Sequence, residues 1–347
     1  MRKSILFLLL FLLTCVLGAC GNNNPSLAAP LGDGGYTAEN PLVIKFSHVT
    51  SIESVKGVAT EEFARLVKEK TEGKVKVEVF PSSQLYGDND ELDALAAGNV
   101  HMIAPSATKL VKIEPRWQYT DLPFLFENEE HVRAFFTSDV AKKLLESEHL
   151  AKNNIKGLAF WENGFVHYSN NKRPLKTVED FKGLKFRVQA GKVLEARYKA
   201  LGAGSATISF GETYAALQQG TVDGQENTFN NFDTQKYKEV QNHLTTSAHA
   251  RVDYVILVNK PFWESIPEAL AVQVNEAFEE ATQFAWDLAK EKNDKSFEAI
   301  QESGEVMIQQ LMPEEREQLV EAFEHVYEEF EDDITSELII GIKNLEY

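Results

Sequence analysis

Residues 74–80 alternate up to their last position: Val75, Val77 and Val79 stand against Lys74, Lys76 and Glu78, and Phe80 and Pro81 end the run. A period of two puts successive side chains on opposite faces, so this segment is predicted to be a strand with one apolar face. Before it, Ala59, Phe63, Leu66 and Val67 fall at helical spacing, with Gly73 as the stop signal. After it, a helix over 88–98 leads to a short strand at 100–103. With a strand at 42–46, this βαβα rhythm predicts an α/β sandwich with a largely parallel sheet. Residues 127–150 read as helical and 155–161 as a strand, and the rhythm resumes over 165–227, so a second α/β lobe begins near Gly164. The apolar stretch 247–259 is placed to return to the first lobe. Between Pro267 and Gly304 there is neither glycine nor proline, enough helix to lie across both lobes. Pro313 opens a last acidic helix, with Glu314, Glu315 and Glu317 in its first turn, where carboxylates suit the helix dipole.

The N-terminus carries an export signal. Arg2 and Lys3 precede the apolar run 5–13, which is too short to span a bilayer as a mature helix. Small residues then lead to a cysteine in Leu17-Gly18-Ala19-Cys20, which looks like a bacterial lipobox. Residues 1–19 are read as a lipoprotein signal peptide, Cys20 as the lipidated first residue, and 20–41, rich in Asn, Ala and Gly, as a flexible tether. Cys15 and Cys20 are the only cysteines, so the mature chain has no disulfide. The expected location is the extracytoplasmic face of the cytoplasmic membrane, held by lipid. The net charge of −18 argues against nucleic acid and against anionic lipid surfaces, so an anion must be drawn by a local cationic pocket.

Such a pocket has a candidate in Arg187. Leu184, Phe186 and Val188 alternate with Lys185, Arg187 and Gln189, which puts the guanidinium on the polar face of a short strand. There it either snorkels to solvent or grips a carboxylate with its planar fork of donors. Catalysis finds no support. There is no Gly-x-Ser-x-Gly elbow, and the histidines show no ligand spacing. Gly202-Ala203-Gly204 is a helix stop rather than a dinucleotide loop. Asp88-Asn89-Asp90-Glu91 lacks calcium-loop spacing and is read as helix capping. No cofactor and no metal is expected.

The order of motifs from 181 to 229 resembles the substrate-binding proteins of TRAP (tripartite ATP-independent periplasmic) transporters, DctP type. It runs from the strand carrying Arg187 through the helix ending at Leu201-Gly202-Ala203 and the turn at Phe210 and Glu212, to Val222-Asp223-Gly224-Gln225-Glu226-Asn227. Lys74 to Leu85, Asp121-Leu122-Pro123-Phe124 and Glu162-Asn163-Gly164-Phe165 extend the resemblance over almost everything from Leu42 onward. It implies a two-lobed periplasmic-binding-protein-like α/β fold with a hinge, a ligand cleft between the lobes and a long bracing helix. Lobe I would comprise 42–164 and 253–292, lobe II 165–252 and 293–347. It also implies a receptor that binds a small organic acid and delivers it to a membrane permease. The alternatives are a same-fold sensor for a two-component system or the receptor of an ATP-driven importer.

Carried over by the resemblance, Arg187 clamps the ligand carboxylate, Asn227 donates from the opposite loop, Phe210 supplies an apolar wall and Ser106 a polar contact from the first lobe. Trp161 and Asn163 sit at the lobe crossing within reach of the cleft, and Glu226 and His249 stand behind the ligand contacts. Two departures bear on the ligand. Val166 stands where many relatives carry a second arginine, and Ala190 where sialate receptors carry an asparagine. From Val166 a single-carboxylate ligand is expected in preference to a C4-dicarboxylate.

Overall fold

Among the described residues, eleven strands order the chain: β1 (Leu42–Ser47), β2 (Val75–Phe80), β3 (Met102–Ile103), β4 (Ile155–Phe165), β5 (His167–Asn170), β6 (Lys185–Val188), β7 (Gly204–Thr207), β8 (Gly224–Asn227), β9 (His243–Thr246), β10 (Arg251–Asn259) and β11 (Met307–Gln310). They come from a computed structural model that describes residues 32–347. The lipobox and most of the tether lie outside those residues. Two sheets form, one in the order β2-β1-β3-β10-β4 and one in the order β11-β9-β5-β8-β6-β7.

The expected βαβα pattern appears as parallel pairs, β1 with β2 and β3 in the first sheet, β6 with β7 and β8 in the second. The sheets are nevertheless mixed. β10 runs antiparallel to β3 and β4, and β5 antiparallel to β8 and β9. The cause is the crossing between lobes. β4 passes into β5 with only Val166 between them, and β9 returns into β10, so each enters the neighbouring sheet against its direction. The two crossings are stitched by the Val166 amide donating to the Ala250 carbonyl at 2.9 Å. Beside them a buried ion cluster forms. Arg251 donates from Nε and Nη2 to Asp253 at 2.9 Å each, and from Nη2 to Glu162 at 3.1 Å. Gly164, beside this crossing, has φ +136, where a side chain would be strained, and a Cβ there would also crowd the Asn293 side-chain amide at 3.0 Å.

The glycine- and proline-free run becomes one helix, Glu268–Ser303, preceded by Pro267 and ended by Gly304 in the left-handed conformation. It packs against the helix Val55–Lys70 and β4 on one side and the helix Phe229–Thr234 on the other, so it braces both lobes. The segment 127–150 is not one helix but three, Glu129–Phe136, Asp139–Leu145 and Glu148–Lys152. Ser138 and Ser147 restart it, accepting hydrogen bonds from the amides of Ala141 and His149.

Phe46, Phe63, Trp161, Val258 and Phe278 anchor the core of the first lobe. A larger core runs through Trp117, Phe135, Phe160, Tyr168 and Phe186 to Phe323 and Phe330. It is closed by the last helices, Pro313–Ala322, Glu324–Ile334 and Ser336–Lys343. Tyr327 donates to the Pro123 carbonyl at 2.8 Å, and Gly341 lies against Val140. We therefore propose the division at 164/165, 252/253 and 292/293 with the C-terminal helices straddling both lobes.

Candidate functional site

Between the lobes lies a narrow cavity lined by Lys56, Asp88, Glu91, Ser106 and Lys109 from the first lobe and by Gln189, Phe210, Asn227 and Asn231 from the second, with Tyr254 at the crossing.

Alternation along β6 decides what each side chain does. Phe186 turns into the core and stacks on Tyr198 at 4.7 Å, while Arg187 takes the other face. Arg187 is buried beside Phe210, its guanidinium carbon 6.0 Å from that ring. Nε donates to the Ile208 carbonyl at 2.9 Å, whereas Nη2 is buried without a partner. A buried charged donor left unpaired is costly, and a bound carboxylate would complete it. Burial weakens the guanidinium's hold on its proton, with Tyr237 and Asp88 opposing that effect.

β8 repeats the division. Asn227 lines the cavity, its carbonyl oxygen accepting from the amides of Thr228 and Asn231 at 3.1 and 2.9 Å. Its neighbour Glu226 points away, accepting from Arg197 at 2.6 Å, Tyr198 at 2.8 Å and His249 at 3.0 Å. Burial pushes the Glu226 carboxyl up, but Arg197 and His249 overcome it and hold it at about 2. His249 is driven to about 4 by burial and by Arg197. β8 can approach its neighbours this closely because residue 224 is glycine: a Cβ there would meet the Ser169 carbonyl at 2.2 Å and Phe186 at 2.7 Å.

The cavity thus gathers Ser106, Phe210 and Asn227, with Arg187 directly beside Phe210. Trp161 and Asn163 lie elsewhere. The Trp161 indole donates to Thr282 of the bracing helix at 3.0 Å and its ring packs on Phe46 and Phe278. Asn163 donates to Thr228 at 3.3 Å and its carbonyl accepts from Asn293 at 2.7 Å, tying the crossing to the helix. Val166 is fully buried in the first-lobe core with Ala250 and Val252. It is not part of the lining, so the single-carboxylate expectation loses its physical basis.

Residues that sequence reasoning missed supply further charge. Lys109 pairs with Asp88 at 2.9 Å, both nearly inaccessible. Asp88 also accepts from the Phe210 amide at 3.1 Å, which joins the lobes. Lys56 donates to the Ala104 carbonyl at 2.7 Å and lies 3.8 Å over the Tyr254 ring. The reading of 88–91 as capping residues fails here. Asp90 is the N-cap of the helix Glu91–Ala96 but makes no side-chain cap bond. Asp88 and Glu91 are turned into the cavity instead. The pairing of Asp88 with Lys109 is what marks this cluster, and no sequence spacing reports it.

A second interlobe contact lies next to the cavity. The Gln118 side-chain oxygen accepts from the amides of Lys192 and Val193 at 2.7 and 3.1 Å, capping the helix Lys192–Ala200 from the opposite lobe.

Comparison with known proteins places the chain in a family. The family model for DctP, bacterial extracellular solute-binding protein, family 7, matches residues 46–333. The C4-dicarboxylate-binding periplasmic protein DctP of Rhodobacter capsulatus is 41% identical over 87% of this chain and 90% of its own length. The C4-dicarboxylate-binding protein DctB of Bacillus subtilis is 36% identical over 87% of this chain and 85% of its own length. A TRAP periplasmic solute-binding protein from Shewanella oneidensis, solved with bound succinate, superposes with a TM-score of 0.85 at 37% identity, covering 88% of this chain and all of that one. The chain belongs to the DctP family of bacterial extracellular solute-binding proteins, the receptors of TRAP transport.

Proposed function

We propose that this protein is the receptor of a TRAP transporter for C4-dicarboxylates, closing on one diacid between its lobes and presenting it to the membrane permease. The observation that carries the ligand class is the distribution of cations around one cavity. Arg187 stands behind Phe210 of the second-lobe wall with an unpartnered donor, and Lys109 and Lys56 line the first-lobe side. One carboxylate can complete Arg187 while the other meets the lysines, an arrangement a monoacid uses only in part. The C4-dicarboxylate relatives, 36–41% identical, support the same class. The receptor does no chemistry of its own. Leu17-Gly18-Ala19-Cys20 supports a lipid anchor at Cys20 on the outer face of the cytoplasmic membrane.

Calorimetric titration with succinate, L-malate and fumarate, alongside galactonate and lactate, tests the ligand class. The diacids are expected to bind and the monoacids to bind more weakly by tenfold or more. Binding of monoacids with all three diacids inert would overturn it.

A further inference from the structure

Glu91 is the least explained group in the molecule. It is fully buried, it lines the ligand cavity, and neither carboxylate oxygen has a hydrogen-bond partner. Its charged surroundings come from three elements: Lys56 on the helix Val55–Lys70, Asp88 on the loop before its own helix, and Lys109 on the turn Ala107–Lys112. Arg187, on β6, adds its positive field at Lys109 and is itself held charged in part by Asp88.

With every group ionised, the three cations exceed the two carboxylates by one charge. A diacid dianion brings two negative charges into the closed space and leaves one in excess. Lys109 is committed to Asp88 and Lys56 to the Ala104 carbonyl. Glu91 has no such bond to lose. A proton on it restores neutrality and turns an unpaired acceptor into a donor within the cavity.

Resting on the C4-dicarboxylate reading, we propose that the receptor binds its diacid together with one proton, and that Glu91 holds it. Burial already drives the Glu91 carboxyl up to about 7, with Lys56 opposing and Asp88 reinforcing. A dianion alongside raises it further. Below the free-state value Glu91 is already protonated. Above it, each binding event draws a proton from solution, and affinity falls by up to about tenfold per pH unit.

Calorimetry of succinate binding in phosphate and in Tris, buffers of different ionisation enthalpy, counts the protons taken up between pH 7 and 8.5. Uptake approaching one per succinate is expected in the wild type. Glu91→Gln, which keeps the volume and a donor, is expected to show no uptake and a flat pH profile. Infrared difference spectra of the wild type with carboxyl-labelled succinate supply a readout that does not depend on the variant folding. A protein-derived protonated-carboxyl band should appear on binding. Tight succinate binding with no proton uptake, or without that band, would overturn the proposal and leave the ligand class standing. Uptake persisting in folded Glu91→Gln would also overturn it, moving the proton to Lys56. Failure of every diacid to bind would instead remove the ligand class itself, and this proposal with it.

Discussion

The Nε of Arg187 donates to the Ile208 carbonyl at 2.9 Å, fixing the guanidinium plane while Nη2 stays buried and unpaired. The Ile208 bond restricts the guanidinium, so less side-chain entropy is lost when a carboxylate docks on it.

Arg187→Ala should fold and lose affinity by about 2–5 kcal/mol, roughly thirtyfold or more. Arg187→Lys should fall between, because a point charge cannot replace a two-point fork. Near wild-type binding by Arg187→Ala in calorimetry would remove this residue from the clamp.

Lys109→Met tests the opposite pole. Removing it should weaken succinate by about tenfold or more and a monoacid much less, because only the diacid reaches both walls. Equal losses for the two ligands would mean that Lys109 acts only through Asp88 and the Phe210 amide.

Gln118→Ala removes the cap that the first lobe places on the helix Lys192–Ala200. Losing an N-cap acceptor costs about 1 kcal/mol, about fivefold in an equilibrium. Here the loss falls on closure. Small-angle scattering should show the variant needing more succinate to reach the compact radius of gyration, with thermal stability of the ligand-free protein nearly unchanged.

His167 accepts at Nδ1 from the amides of Ser247 and Ala248 at 3.1 and 3.2 Å, and its ring stacks on Phe229 at 4.0 Å. Burial, with His249 adding, holds it down to about 3 against an ordinary 6.5. As pH falls, the unfolded chain takes this proton first. The stabilisation is therefore complete above about 6.5 and drains away toward 3. The advantage of wild type over His167→Asn should narrow by about 1.4 kcal/mol per pH unit across that window. Chemical denaturation at several pH values measures it, and a constant gap would contradict the assignment.

Cys20→Ala should release a folded receptor into the aqueous phase on detergent partitioning, while the wild type follows the detergent. Two or more acyl chains anchor durably where one is marginal. Wild type confined to the aqueous phase would refute the anchor and leave the ligand site untouched.

Local chemistry was enough for most elements of the scaffold, though not for the mixed strand directions that the lobe crossings impose. The alternation at 74–80, the proline and glycine that bound the bracing helix, and the order of segments from 181 to 229 are all written within short windows. The polar face of β6 likewise marks Arg187. The helix breaks at Ser138 and Ser147 were present in the same windows as capping residues, overlooked inside an otherwise helical pattern.

The site itself was only half legible, because a cavity between lobes is built from residues far apart in the chain. Lys56, the pair Asp88 and Glu91, and Lys109 come from three separate segments, and each residue alone reads as a surface charge or a cap. Only the packing of the first lobe buries them together, where loss of water makes their pairing strong and leaves Glu91 without a partner. The same packing withdraws Trp161 and Val166 into the core, although both lie close in sequence to the crossing. Alternation tells which face a side chain takes. What waits on that face, solvent, core or ligand, is decided by the element that folds against it.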